Sequence, residues 1–522
     1  MTERAGTPGA RPVAVLDLGS SAIRLTVAEV TPDRTIRILE EASRGVLLGK
    51  DTFTHGRISP ASMEAALEAL DGFRAILRDY GVERARAVAT SAVREASNRD
   101  TFLDRVRLRT GFEVEIIDGS EENRLTWLAV QEDLGDHEAV TTGNTILAEV
   151  GGGNTDISYL RAEGPVLSGT YALGAIRMQQ SLASWRGTQE ERLRLLRRHI
   201  LNVVDDIARE IPLKDATHFI ALGGDVRFAA SRILGESGSE GTARAVPLDA
   251  FTAFCDSVAQ DDVEALVDRW RLTQVDAETL VPALLAFREL IGKTSARELL
   301  VPEASLRAGL LLDLALSGEG RGIEDYSRQV LASAGALGQK YRCDEPHARN
   351  VAELSVRLFE QLQAEHGLAA RDRLLLEVAA LLHDVGMYVG IRGHHKHSHY
   401  ILTVSDLFGL SREDMAVVAN VARYHRRSVP QKSHVSYMAL DRETRLKVNK
   451  LAAILRVANA LDADHLQKVR DVRLVKGADS WTLEVEGTGD LTIERLATVA
   501  LADLFQEVFG RKLLFLATGA RP

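Results

Sequence analysis

Two glycine-rich stretches carry side chains suited to phosphate chemistry: Asp17-Leu18-Gly19-Ser20-Ser21 and Glu149-Val150-Gly151-Gly152-Gly153-Asn154-Thr155-Asp156. Each follows a short apolar run (residues 13–16 and 145–148) and leads into another (23–27 and 157–160), the pattern of a tight β-hairpin turn. Glycine lets a backbone approach an anion with no Cβ between them, successive N–H groups form an anion-binding nest, and carboxylates beside them hold Mg²⁺ against phosphate. A single turn of this kind is most often only a turn. Two of them facing each other across a cleft make a phosphate clamp.

A second constellation lies further along. His347 sits in an amphipathic stretch with Ala348, Val351, Leu354 and Leu358, His383-Asp384 closes the apolar run 374–382, His397 and His425 follow, and Asp462 ends the run 454–461. Histidines and aspartates on separate helices can converge on a divalent ion, because imidazole and carboxylate are both suitable ligands. The same region is rich in cations: Arg392, His394, His395, Lys396, His397 and His399, then Arg423, His425, Arg426, Arg427, Lys432 and His434. Two readings stand side by side, a solvated basic face with some histidines as ligands, or a track for a polyanion.

These residues need elements to hold them. Residues 11–135 read as a first α/β lobe, with strands at 36–39 and 85–89 and a helix opening at Ser59-Pro60 whose apolar positions are Met63, Leu67, Leu70 and Phe73. A second lobe, 136–318, holds a helix over 190–211 and a strand 219–222 that ends in Gly223-Gly224. A polar stretch, 317–322, precedes a helical domain, 323–468. The last segment, 469–522, reads as a small α+β tail with strands at 472–475, 481–485 and 491–493 and a helix over 495–509.

At 522 residues the chain is too long for a single core and calls for three or four domains. Its formal net charge of −10 excludes a general nucleic-acid surface, so a polyanionic ligand must be met by local positive clusters. Only Cys255 and Cys343 occur, which removes a disulfide framework and a cysteine metal knuckle and fits a reducing cytoplasm. The polar start and the lack of any apolar run approaching ~18 residues predict a protein that is neither secreted nor membrane-spanning.

The duplicated hairpins resemble the phosphate loops of the actin, sugar kinase and heat-shock chaperone superfamily. Within it, residues 16–21 with Arg24, Thr90-Ser91-Ala92-Val93-Arg94, Asp118-Gly119-Ser120-Glu121-Glu122-Asn123-Arg124-Leu125, Leu173-Gly174-Ala175-Ile176-Arg177 and Ser305-Leu306-Arg307 look like the exopolyphosphatase and guanosine pentaphosphate phosphohydrolase family, in order and spacing. The resemblance implies a two-lobed ribonuclease-H-like α/β duplication. After it come an all-α domain similar to the His-Asp (HD) phosphohydrolases and the α+β tail.

By that resemblance Glu122 is the base, Gly19, Ser20, Ser21, Gly151, Gly152, Gly153 and Asn154 grip phosphate, and Arg94 faces substrate oxygens. Asp17, Glu149 and Asp156 position Mg²⁺. In the helical domain His347, His383, Asp384 and Asp462 hold a second divalent metal, and Arg392, Lys396, Arg426 and Arg427 form the polyphosphate track. The implied reaction is Mg²⁺-dependent release of orthophosphate from the end of inorganic polyphosphate; a homodimer is compatible with it. Three alternatives remain: a guanosine pentaphosphate phosphohydrolase, a non-hydrolytic alarmone or polyphosphate sensor, and an HD metal phosphohydrolase regulated by the lobes. The chain departs from the family pattern at Glu149 (usually Asp), Asn154 (Ser), Asp156 (Glu), Asn123 (Ala) and Asp225 (Thr or Ser).

Overall fold

Residues 13–18 alternate between two cores. Ala14, Leu16 and Leu18 pack with Met63, Leu67, Leu70 and Phe73 of the helix Pro60–Asp79, while Val13 and Val15 pack with Leu310 and Leu311 of the helix Leu306–Leu316. Successive strand side chains point to opposite faces, so this strand is covered on both sides. The computed structural model describes residues 11–31, 35–182, 186–235, 243–316, 321–426 and 428–518. The chain divides into two compact units, 1–324 and 325–522.

The first unit is built on two sheets. Strands β1 (Arg11–Leu18), β2 (Ala22–Val30), β3 (Ile36–Gly45), β4 (Arg84–Ala89) and β5 (Val114–Ile116) lie in the order β3-β2-β1-β4-β5. Strands β6 (Thr145–Val150), β7 (Thr155–Arg161), β8 (Gly164–Tyr171), β9 (His218–Leu222), β10 (Arg244–Pro247) and β11 (Glu298–Val301) lie in the order β10-β11-β9-β6-β7-β8. In both sheets an antiparallel hairpin (β1-β2, β6-β7) stands beside a parallel neighbour (β4, β9). The two glycine-rich stretches are therefore hairpin turns, as their flanking apolar runs predict. The helix Leu306–Leu316 follows the second sheet in sequence yet packs on the first.

Local signals start several of the helices. Ser59 caps Pro60–Asp79 by accepting from the Ser62 amide, and Thr188 and Glu191 form a capping box for Gln189–Glu210. The latter buries Leu196, Ile200, Val204 and Ile207 at helical spacing against the second sheet.

The second unit is helical with one three-stranded sheet. Its first helix, Arg321–Lys340, begins inside the stretch expected to be a linker, and residues 317–320 of that stretch lie outside the described residues. Strands β12 (Val469–Lys476), β13 (Ser480–Gly487) and β14 (Lys512–Thr518) run in that order, and Val472, Trp481, Leu483, Val485 and Leu513 share one hydrophobic cluster with the helices. The strand expected at 491–493 is instead the start of a helix, Thr492–Leu501, because Asp490 accepts from both the amide and the hydroxyl of Thr492 and turns the chain there. The helix expected over 495–509 is two, broken at Ala502, and the third strand lies later, at β14. Among the described residues no helix is long and apolar enough to cross a membrane.

Candidate functional site

In the first unit both turns open onto one cleft of about 470 Å³. Asp17, Ser20, Ser21, Glu122, Glu149, Gly152, Gly153, Asn154 and Asp156 all line it, together with Gly19 and Gly151. The amides of Gly19 and Gly151 close their own turns, donating to the carbonyls of Ala22 (3.1 Å) and Asn154 (2.9 Å). The second turn is glycine-rich for packing reasons. A Cβ on Gly153 would lie 2.3 Å from Ser91 Oγ, and one on Gly174 would lie 2.1 Å from the Gly153 carbonyl carbon. Arg177 fixes the same turn: Nε donates to the Gly153 carbonyl at 2.7 Å while Nη2 binds Glu95 at 2.7 and 2.9 Å.

Six carboxylates line this cleft; four of them, Asp17, Glu122, Glu149 and Asp156, were named from sequence, and burial pushes several of these toward the neutral acid. Asp17 is only 8% exposed, its Oδ1 has no hydrogen-bond partner among the described residues, and burial raises its pKa against the lowering effect of Arg24 and Arg307. Glu149 is raised by burial too, although it accepts from Thr126 Oγ1 at 3.2 Å. Asp156 accepts from Thr170 Oγ1 at 2.5 Å. Glu122 is pushed up to about 8 by burial and by the Asp156 charge, against the pull of Arg94.

The structure distinguishes the two adjacent glutamates. Both lie in the first turn of the helix Gly119–Leu134, capped by Asp118. Glu121 turns to Arg124 (2.7 and 2.8 Å) and Arg86 (3.3 Å), whereas Glu122 turns to the cleft. Arg94, expected to face substrate oxygens, is not among the cleft-lining residues: it donates to the Ile117 carbonyl and to Glu122 Oε1. The arginines that do line the cleft are Arg24, Arg227 and Arg307. Two of these stood in the sequence motifs, but their roles did not show until β2 and the helix Leu306–Leu316 brought them together.

Four carboxylates with an orphaned, buried Oδ1 on Asp17 suit a hard divalent cation. Among the described residues no three of them fall within 4.8 Å of one another.

The second unit holds a separate cluster. His347 Nε2 lies 3.3 Å from His383 Nε2, and His394 Nε2 lies 3.1 Å from His425 Nε2. Asp384 stands among them, with Oδ1 at 3.2 Å from His394 and 3.5 Å from His425 and Oδ2 at 3.6 Å from His383. Every Nδ1 is engaged elsewhere: with Asp462 for His347 (2.8 Å), and with the carbonyls of Ala380, Ile391 and Ala422 for His383, His394 and His425. With those nitrogens donating, the Nε2 atoms meet in two pairs, His347 with His383 and His394 with His425, and neutral imidazoles so placed set lone pair against lone pair, an arrangement that a cation relieves.

Burial holds His383 below its usual pKa and His425 well below it, favouring neutral imidazole. Burial alone would raise Asp384, but the surrounding imidazoles hold it far below the carboxylate range. Asp462 meets the cluster through His347 and also accepts from the Gln467 amide at 2.7 Å. Of the histidines named from sequence, His425 belongs to a candidate metal group with His383 and Asp384, and His397 belongs to none; His465, which the sequence reading missed, groups with His347 and Asp384, and His394, read only within the basic run, meets His425 and Asp384 beside them. Arg392, Lys396 and Arg426 are exposed, and Arg427 lies outside the described residues.

Residues 26–318 match the model described as the Ppx/GppA phosphatase family, and residues 330–504 match the one described as Ppx/GppA phosphatase, domain III. The chain belongs to the Ppx/GppA phosphatase family. Within that family a curated relative, the guanosine-5'-triphosphate,3'-diphosphate pyrophosphatase of Vibrio vulnificus, is 24% identical over 456 residues, covering 85% of this chain and 86% of the relative. The crystal structure of an exopolyphosphatase from Cytophaga hutchinsonii aligns at a TM-score of 0.54 and 22% identity, over 58% of this chain and 98% of that one. The Ppx/GppA family member of Aquifex aeolicus aligns at 0.51 and 22%, over 60% and 99%. These likenesses show the fold: the first unit has the α/β architecture of those two structures, built here on two sheets. As a Ppx/GppA member the chain is a phosphohydrolase.

Proposed function

We propose that the cleft of the first unit releases orthophosphate from the end of inorganic polyphosphate. The observation that carries this reading is the meeting of both glycine turns, Glu122 and three arginines in one cavity. The amides of residues 20–21 and 152–154 hold phosphate oxygens, and Arg24, Arg227 and Arg307 neutralise them. Glu122 takes the proton of the attacking water, with Arg94 fixing the carboxylate from behind. Asp17, Glu149 and Asp156 hold Mg²⁺, which supplies charge neutralisation on the anhydride oxygens. Orthophosphate release from polyphosphate, measured for the native chain and Glu122→Gln, tests the reading; equal rates overturn it.

Guanosine pentaphosphate is the second reading. The name of the Vibrio vulnificus relative favours it, and so does Asp225, a carboxylate in the cleft where a polyphosphate chain would meet repulsion.

For the second unit we propose an HD-type helical domain, 323–468, with an α+β tail, 469–522. In it His347, His383 and Asp384, joined by His394 and His425 and oriented by Asp462, bind divalent metal. The convergence of the Nε2 atoms supports this. The exposed Arg392, Lys396 and Arg426 supply a track for a long polyanion.

A further inference from the structure

The helix Gly119–Leu134, which carries Glu122, is gripped by residues that do not line the cleft. Gly309, in the helix Leu306–Leu316, has no room for a side chain: a Cβ there would lie 1.9 Å from the Leu125 carbonyl oxygen, so the two helices touch backbone to backbone. Asp313 stands four residues further on, on the same helix face as Gly309. Its Oδ2 accepts from Arg86 Nη1 of β4 at 2.8 Å and its Oδ1 from Arg124 Nη2 at 3.0 Å. Both arginines also bond Glu121, Arg124 by two bonds at 2.7 and 2.8 Å and Arg86 by one at 3.3 Å. Two guanidinium groups and two carboxylates thus alternate in a closed ring drawn from one strand and two helices.

The ring is built to resist rotation of the helix Gly119–Leu134. Its four side chains are only 18–28% exposed, so solvent screens them less than it would a surface pair. Burial alone would raise the pKa of Glu121, but Arg124 and Arg86 hold it below its usual value, which keeps the carboxylate charged within the ring. The Asp118 cap accepts from the Glu121 amide at 3.1 Å and secures the backbone of the first turn, where helices otherwise fray. Neighbouring residues on a helix point about 100° apart, so locking Glu121 into the ring sets the direction of Glu122. Arg307, at the start of the helix that bears Asp313, has anchors of its own: Nε donates to Thr26 Oγ1 at 3.2 Å and Nη2 lies 3.6 Å from Glu41. The ring therefore bears on Glu122 rather than on the arginine that faces phosphate.

We propose that Asp313 is a positioning residue for the reaction in the cleft: through Arg86, Arg124 and Glu121 it fixes the rotation of the helix Gly119–Leu134 and so aims Glu122. The inference rests on the reading of Glu122 as the base.

Steady-state orthophosphate release from polyphosphate by the full chain tests it in Asp313→Asn, in Glu122→Gln and in the double variant. Asp313→Asn keeps the shape but sets an amide NH2 against an arginine. It should lower kcat by about 10- to 100-fold, the scale of a reacting group displaced by up to an ångström, and leave KM near the native value because the phosphate turns and Arg307 keep their own contacts. Asp313→Glu, with the charge and both oxygens present, should recover most of the rate. In the Glu122→Gln background the loss from Asp313→Asn should vanish, since an amide that takes no proton gains nothing from its aim, whereas a loss of stability would be the same in both backgrounds. Arg124→Gln opens the same ring from the other helix and replaces Asp313→Asn in the cycle if that variant melts below the assay temperature. A native kcat in Asp313→Asn, a raised KM at unchanged kcat, or a loss that multiplies undiminished onto that of Glu122→Gln overturns the role of Asp313. Equal rates for Glu122→Gln alone and the native chain are a different result, which removes the base reading itself and the positioning role with it.

Discussion

Arg94 Nη1 lies 2.7 Å from Glu122 Oε1. The arginine at the end of the helix Ser91–Arg94 thus bonds the carboxylate that faces the cleft, and its charge opposes the rise that burial and Asp156 impose on Glu122. The pair sets both the orientation and the basicity of the proposed base.

Orthophosphate release should depend on pH through Glu122. Its pKa is raised to about 8, so the carboxyl is protonated below that value and able to take a proton above it. The rate should therefore climb with pH and level off above about 8, and Arg94→Met should move the midpoint upward because the opposing charge is gone. Glu122→Gln should lower kcat by roughly 100-fold or more while leaving polyphosphate affinity nearly intact. A pH profile that keeps the native midpoint in Arg94→Met would separate Glu122 from the titration.

Glu149→Asp restores the shorter carboxylate usual in the family but gives up the contact with Thr126 Oγ1 at 3.2 Å. If the site is tuned around the longer side chain, a carboxylate displaced by ~1 Å should lower the Mg²⁺-dependent rate by something on the order of 100-fold. An increase in rate would show the present site to be mispositioned.

Gly174→Ala would drive a Cβ into the backbone of residues 152–154, 2.1–2.5 Å away. The second turn must shift, at a cost of about 1–3 kcal/mol in stability. Loss of phosphate release with a fold still cooperative in thermal melts is the expected outcome.

The protein as purified should retain divalent metal in the second unit. His383→Ala with Asp384→Ala should release it and lower Tm, because metal bound only by the folded state stabilises it. Elemental analysis alongside calorimetry reads both. Metal-free native protein with an unaltered Tm on metal addition would count against the centre.

Neutralising Arg392, Lys396, Arg426 and Arg427 should weaken long polyphosphate far more than guanosine pentaphosphate, with the difference shrinking as salt rises. Equal weakening of both ligands, measured by titration at two ionic strengths, would reduce the cluster to a solvated face.

The sequence by itself determined what is local. The two glycine-rich stretches set between apolar runs are hairpin turns, and the helix signalled at Ser59-Pro60 starts there. It also supplied the motif residues that identify the family. Even local reading failed at 491–493, where the Asp490 side chain captured Thr492 and turned the strand-like Leu491-Thr492-Ile493 into a helix start.

Tertiary structure alone decided which charges meet. Arg94 and Glu122 are 28 residues apart and His394 and His425 are 31 apart, distances over which side-chain direction is set by helix packing rather than by neighbours in sequence. For that reason the bond from Arg94 to the Glu122 carboxylate did not show in the sequence, nor did the meeting of His394 with His425 and Asp384. Asp225 read as a misplaced charge in a phosphate loop. The helix Gln274–Ile291, folding back across the cleft, gives it a hydrogen-bond partner and apolar walls, and that setting exists only once the chain has closed.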